Sequence, residues 1–285
     1  MVKKFFIWLL AILITLSAVV YQRMTGPTNP KRVKFELAGK EYSTKLTRSL
    51  ETQVTLEEAK GDYNSLGKTE ELRVIIPDIP ESATAQLSYA RYPSNDSLST
   101  LQGVKEGDHF VFTLPAQPPA GKIKYFIEIE DNGTKVMVDD EKTLIRFKNS
   151  VPAGVLIPHI LLMFLAMMFA NYTGILSFTK SDKVKKNAII TIILLGIGGL
   201  ILGPIVQKFA FGAFWTGWPL GEDLTDNKTL FAFLFWAAAI YFNRKCSRRY
   251  LYAIAAIVML LVYSIPHSTA GSEYDHSKGE IVSGR

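Results

Sequence analysis

Five apolar runs constrain this chain more than any other feature: Phe5–Val20, Ala153–Phe178, Ala188–Val206, Leu230–Phe242 and Tyr250–Ile265. A helix needs about 20 residues, at 1.5 Å each, to cross a hydrocarbon layer of roughly 30 Å. The second and third runs are long enough as they stand. The fourth has 13 strictly apolar residues and reaches 19 only if its helix starts at Leu224. Asp223 is then a natural cap, and Asp226 in the first turn suits the positive end of the helix dipole.

The charges orient these spans. Lys3 and Lys4 precede the first run. Lys180, Lys183, Lys185 and Lys186 separate the second from the third, and Arg244, Lys245, Arg248 and Arg249 separate the fourth from the fifth. If every run crosses, these ten basic residues, with Asp182 the one acid among them, lie on a single side. Cytoplasmic loops carry such an excess. The expectation is five spans in a bacterial inner membrane, with the N-terminus inside and the C-terminus outside. Residues 24–150 hold 17 Lys/Arg against 19 Asp/Glu, so the net charge of +6 reflects topology and no nucleic-acid partner is expected. The first run follows a short basic segment, as a signal peptide does, but its cleavage pattern at Thr15-Leu16-Ser17 is poor. An uncleaved anchor is expected.

Residues 30–148 alternate in the manner of strands. Val33, Phe35 and Leu37 alternate with polar residues, as do Ala85, Leu87 and Tyr89, then Phe110, Phe112 and Leu114. Ile123–Glu130 is the clearest strand, and Asn132-Gly133 behind it predicts a tight hairpin to Lys135–Val138. Further strands are expected at Thr52–Leu56, Leu72–Ile76 and Thr143–Phe147. Seven or eight short strands suggest an antiparallel β-sandwich.

The run from Leu87-Ser88-Tyr89-Ala90-Arg91 through Phe112-Thr113-Leu114-Pro115 to Gly121–Ile127 and Asp131-Asn132-Gly133 resembles bacterial immunoglobulin/fibronectin-III-like modules. The resemblance covers roughly 45 residues and is structural. It implies a module that presents or binds something. The one cysteine, Cys246, falls in a basic loop, so the sandwich holds together without a disulfide.

The expected fold class is a membrane protein of α plus β type. It comprises an N-terminal transmembrane anchor (1–23), an extracytoplasmic Ig-like β-sandwich (24–150), a four-helix transmembrane domain (151–268) and an extracytoplasmic tail (269–285). Gly199 and Gly203 in the third span form a Gly-x-x-x-Gly suited to close helix packing, and Pro204 predicts a kink. Gly61–Thr69 approaches a phosphate-loop pattern but has five residues between its glycines where four are needed. Ser177 and Lys180 have the spacing of a catalytic dyad, yet Lys180 opens a basic loop and no companion motif follows.

One polar constellation falls on the outer side. His159 lies in the second span behind Pro158, about 9 Å below the boundary at 1.5 Å per residue. His267 ends the fifth span. Glu222, Asp223 and Asp226 precede the fourth, and Glu273, Asp275 and His276 lie in the tail. Imidazoles with carboxylates suit a divalent metal, and two facing histidines suit a haem, although His159 and His267 differ in expected depth. Packing and helix capping with no cofactor account for the same residues. Phe214, Trp215 and Trp218 form an aromatic loop at the outer interface, an alternative seat for a lipid or quinone.

With no complete catalytic set, the expected function is non-enzymatic. The first expectation is an accessory or assembly subunit that contacts membrane lipids and docks a protein partner through the sandwich and helix faces. Redox or metal handling, and lipid or quinone binding, are the alternatives.

Overall fold

The computed structural model describes residues 2–60, 66–267 and 271–282. Helix α1 (Val2–Thr25) leads into a β-domain made of β1 (Lys31–Leu37), β2 (Lys40–Leu46), β3 (Ser49–Glu51), the short α2 (Leu56–Ala59), β4 (Thr69–Ile75), β5 (Thr84–Tyr92), β6 (Ser99–Gln102), β7 (Val104–Glu106), β8 (His109–Pro115), β9 (Lys122–Asp131), β10 (Thr134–Met137) and β11 (Thr143–Lys148). Strands β3-β11-β9-β5-β6 form one sheet, with β10 added to β9. Strands β4-β8-β7 form a second sheet, and β1-β2 a separate hairpin. All three contribute to one core. On β9 the period of two puts Ile123, Tyr125, Ile127 and Ile129 inside, against Phe110, Phe112 and Leu114 of β8 and Val33, Phe35 and Leu37 of β1. The turn at Asn132-Gly133 has positive φ at both residues, 47° and 81°, as its sequence predicts.

Thr52–Leu56 is not a strand. Pairing with β11 ends at Glu51, and Thr55 caps α2 in a reciprocal capping box with Glu58. Of the Gly61–Thr69 motif, residues 61–65 lie outside the described residues. Lys68 is held by the Glu58 carboxylate at 2.7 and 2.9 Å, and this contact lowers the Glu58 pKa to about 2.

Helices α3 (Ala153–Ser177), α4 (Val184–Leu195), a π-helical turn (Gly196–Leu202), α5 (Gly203–Phe211), α6 (Leu224–Phe242) and α7 (Tyr250–Ser264) follow. Among the described residues, three helices are long and apolar enough to cross a membrane: Lys3–Thr25, Ala153–Ser177 and the continuous Val184–Phe211. Helix α7 is apolar but has 15 residues, and α6 has 19. Helix α6 starts at Leu224, with Asp223 accepting from the Thr225 and Asp226 amides.

The irregularity expected at Pro204 is taken up before it. Pro204 has no N–H to give the residue four back, and the π turn widens the register so that Gly203 N–H reaches Gly198 O. Close packing falls on Gly199, where a Cβ would lie 2.6 Å from Thr229 Cγ2 of α6, and on Gly198, where it would lie 2.9 Å from Leu162 Cβ of α3. Gly203, expected to share this role, has nothing nearer than 3.8 Å. A second small-residue seam is Ala166, Ala170 and Gly174 on α3, all buried, with Gly174 close against Ala256 of α7.

Helix α1 is an integral part of the helix pack. Trp8 stacks on Tyr172 with ring centroids 3.9 Å apart, and Asn171 Nδ2 donates to Thr15 Oγ1 at 2.9 Å. Near its other end Gln22 reaches Tyr263 and His267. Arg249 donates to Thr179 O at 2.6 Å, tying the loop after α6 to the loop after α3. The basic loops therefore meet at the end of the bundle opposite the β-domain.

The tail is not a free extension. Its hairpin of β12 (Glu273–Asp275) and β13 (Glu280–Val282) docks on the β-domain. Tyr274 is buried with Val54, Ala59 and Ala116. Its amide donates to Ala120 O, its hydroxyl to Ala59 O, and Glu273 pairs with Lys122 at 3.2 Å.

Candidate functional site

Where the β-domain meets the helices, two adjoining cavities of about 490 and 130 Å³ share Arg146, His159, Met163, Phe211 and His267 on their walls. The larger is apolar along the helices, lined by Val19 of α1, by Leu156, Ile160, Phe164 and Met167 of α3, and by Phe211 of α5. The β-domain closes it with Ser49, Glu51, Lys148 and Asn149.

Arg146 stands between the cavities and is 7% exposed. Its Nη2 donates to Ser272 O, and its guanidinium lies 4.1 Å over the Phe211 ring. Burial lowers its pKa to about 10, against the opposing fields of Asp223 and Glu273. Its Nε–H has no partner among the described residues. Asp223 Oδ2 accepts from Ser272 N at 2.8 Å, Ser272 Oγ at 3.0 Å and Thr216 Oγ1 at 3.2 Å. Asp226 Oδ2 accepts from the Thr216 and Gly217 amides at 2.8 and 3.1 Å. Gly217 is required there, because a Cβ would lie 2.6 Å from Asp226 Cβ. Gln207 Nε2 donates to Thr216 Oγ1 at 2.6 Å, and the buried Lys228 donates to Ile265 O at 2.6 Å.

The two imidazoles have opposite roles. His159 Nδ1 lies 2.9 Å from Gly198 O, a carbonyl that can only accept, so Nδ1 carries the proton and Nε2 is an acceptor. This bond ties α3 to the π turn. Gln22 Nε2 lies 3.0 Å from Tyr263 O, which fixes it as the amide nitrogen, and 2.8 Å from His267 Nδ1. His267 Nδ1 therefore accepts, and its proton sits on Nε2. Neither Nε2 has a hydrogen-bond partner among the described residues.

The eight expected site residues thus separate. His159 and His267, expected at different depths, share one cavity because α7 ends at Ser264 and Gln22 holds His267 from α1. Asp223 and Asp226 line the smaller cavity, but their Oδ2 atoms are taken by N–H and O–H donors. Glu273 faces Lys122, and Glu222 is exposed. Asp275 caps its own turn through Ser277, and His276 stacks edge-on against Tyr274. Among the described residues no group of three His, Cys, Asp or Glu converges as metal ligands do. For the haem expectation, an imidazole ligates iron through an unprotonated nitrogen, and with the Gln22 bond as it stands the His267 proton sits on Nε2. Trp215, Trp218 and Phe214 do not line either cavity. Trp215 Nε1 donates to Trp218 O, and Trp218 is 69% exposed.

Arg146, Gln22, Gln207, Lys228 and Ser272 carry the site and were not legible in sequence. Lys228 left no trace either, since it sits among the polar residues Thr225, Asp226, Asn227 and Thr229 that open α6. No known protein family matches the chain, and none of the curated proteins or solved structures does either.

Proposed function

We propose that the protein is a five-span, non-enzymatic protein of a bacterial cytoplasmic membrane that binds an amphipathic lipid between its helices and its β-domain. The N-terminus faces the cytoplasm, and residues 24–150 and the tail lie outside. The β-domain, read as an immunoglobulin/fibronectin-III-like sandwich, closes the mouth of the bundle. Two observations support the orientation: the clustering of basic loops at one end and the near-neutral β-domain at the other.

One observation carries the ligand. The 490 Å³ cavity falls in the range of small-molecule sites, with apolar walls along the spans and polar groups confined to the β-domain end. That polarity gradient matches a lipid whose body comes from the bilayer and whose head sits under the β-domain. Extraction in mild detergent followed by lipid mass spectrometry should recover one lipid class near stoichiometry. Ile160→Trp, which fills the cavity from an exposed position of α3, should lose it without unfolding. Identical lipid content in both proteins overturns the reading. The alternative, an accessory subunit that docks a protein partner through the β-domain, draws on the resemblance alone and leaves the cavity empty.

A further inference from the structure

Resting on the lipid-binding reading above, we infer that the two histidines select an uncharged lipid head bearing a hydroxyl, of which a quinol is the type, over a carbonyl or a phosphate. The inference follows from the complementary nitrogens. His267 Nε2 offers a proton and His159 Nε2 accepts one, on the wall of the same cavity. A hydroxyl both accepts and donates, so a quinol satisfies both rings. A quinone has only acceptors. It pairs with His267 and leaves His159 Nε2 unmet, which costs affinity because a polar atom is buried without a partner.

Charge argues against a phosphate. The charged residues on the two cavity walls are the cations Arg146 and Lys148 and the carboxylates Glu51, Asp223 and Asp226. Lys228, whose Nζ reaches Ile265 O two residues before His267, adds a third cation, so three cations stand against three carboxylates around neutral imidazoles and the site offers an anionic head no surplus positive charge. Arg146 is further committed to Ser272 O and to the Phe211 face. An uncharged head needs no counter-charge there.

The test uses the full chain in lipid nanodiscs with two probes of one skeleton, decylubiquinol and decylubiquinone. The quinol should bind about tenfold more tightly than the quinone, the worth of one hydrogen bond to a buried partner. His159→Ala should abolish that preference. His267→Ala should weaken both probes about tenfold, and His267→Gln, which keeps an N–H donor, should restore part of the loss. Competition by dioleoylglycerol as strong as by the quinol supports hydroxyl recognition and assigns the natural ligand to a glyceride. Its failure to compete supports recognition with a quinol ring as the source. Equal affinity for quinol and quinone in the unaltered protein overturns the inference while leaving lipid binding intact, as does a phospholipid retained in the cavity that neither probe displaces. A haem absorption band in the purified protein also overturns it. Neither probe binding, together with no native lipid lost in Ile160→Trp, overturns the lipid-binding reading itself.

Discussion

Gly199 shows how much a single atom decides in this bundle. A Cβ there would sit 2.6 Å from Thr229 Cγ2, while at Gly203 the nearest atoms are 3.8 Å away. Gly199→Ala should therefore destabilise the helices by about 1–3 kcal/mol, the usual cost of overpacking, and Gly203→Ala should be near neutral. The unfolding midpoint in a denaturing-detergent titration separates them, and equal midpoints would place the contact elsewhere. The Gly-x-x-x-Gly spacing alone could not distinguish these positions, because the π turn rotates Gly198 and Gly199 into the seam. Asp223 is the converse case. Its role as the cap of α6 was legible, but the Ser272 amide and hydroxyl on its second oxygen come from a segment 49 residues away. Asp223→Ala should cost about 2–3 kcal/mol through loss of the cap and of charged hydrogen bonds. It should also release the tail to proteolysis, and an intact tail would argue against the tether.

At the scale of elements, alternation and capping were readable and docking was not. Ile123–Glu130, the Asn132-Gly133 turn and the start of α6 each depend on neighbouring residues. The reading of Thr52–Leu56 as a strand failed because the Thr55–Glu58 capping box outweighs a β-branched stretch. The tail hairpin carries no local sign of its seat, which is built by Val54, Ala59 and Ala116. Its docking should depend on pH. Burial, and then the Arg91 guanidinium, hold the His276 imidazole down at about 4, against an ordinary 6.5, while Asp96 and Asp275 oppose them. Between these values a released hairpin takes up a proton that the docked one does not. Docking is thus at full strength above pH 6.5, weakens as the pH falls toward 4, and then levels off. Hydrogen-exchange protection of residues 273–282 should fall across that window and become flat in His276→Gln. Constant protection would remove His276 from the account of docking.

Helix α1, expected as an anchor and long and apolar enough to cross a membrane, also shares a buried hydrogen bond with α3, through Thr15 and Asn171. Such bonds between membrane helices contribute about 0.6–2 kcal/mol. A double-mutant cycle of Thr15→Ala and Asn171→Ala should give a coupling in that range. Zero coupling would show that the pair contributes nothing to holding α1.

For the whole molecule, the sequence made the span pattern and charge bias visible, since both depend on composition along the chain. The cavity was invisible, because its walls come from α1, α3, α5, α7 and the β-domain, and its key cation, Arg146, sits on a strand beside the buried Phe147. The orientation has its own check. Cys246 is exposed and lies in a basic loop, so a membrane-impermeant maleimide should label it only after cells are permeabilised. Labelling of intact cells would invert the topology.

Lipid binding beneath the β-domain is tested most directly by the density inside the cavity when the protein is imaged in native-membrane nanodiscs without added detergent. An elongated density is expected, with its head within hydrogen-bond distance of His159 Nε2 and His267 Nε2 and its body passing Ile160 and Phe164 toward the bilayer. A cavity that is empty or filled only with water, at a resolution where neighbouring side chains are defined, would contradict it.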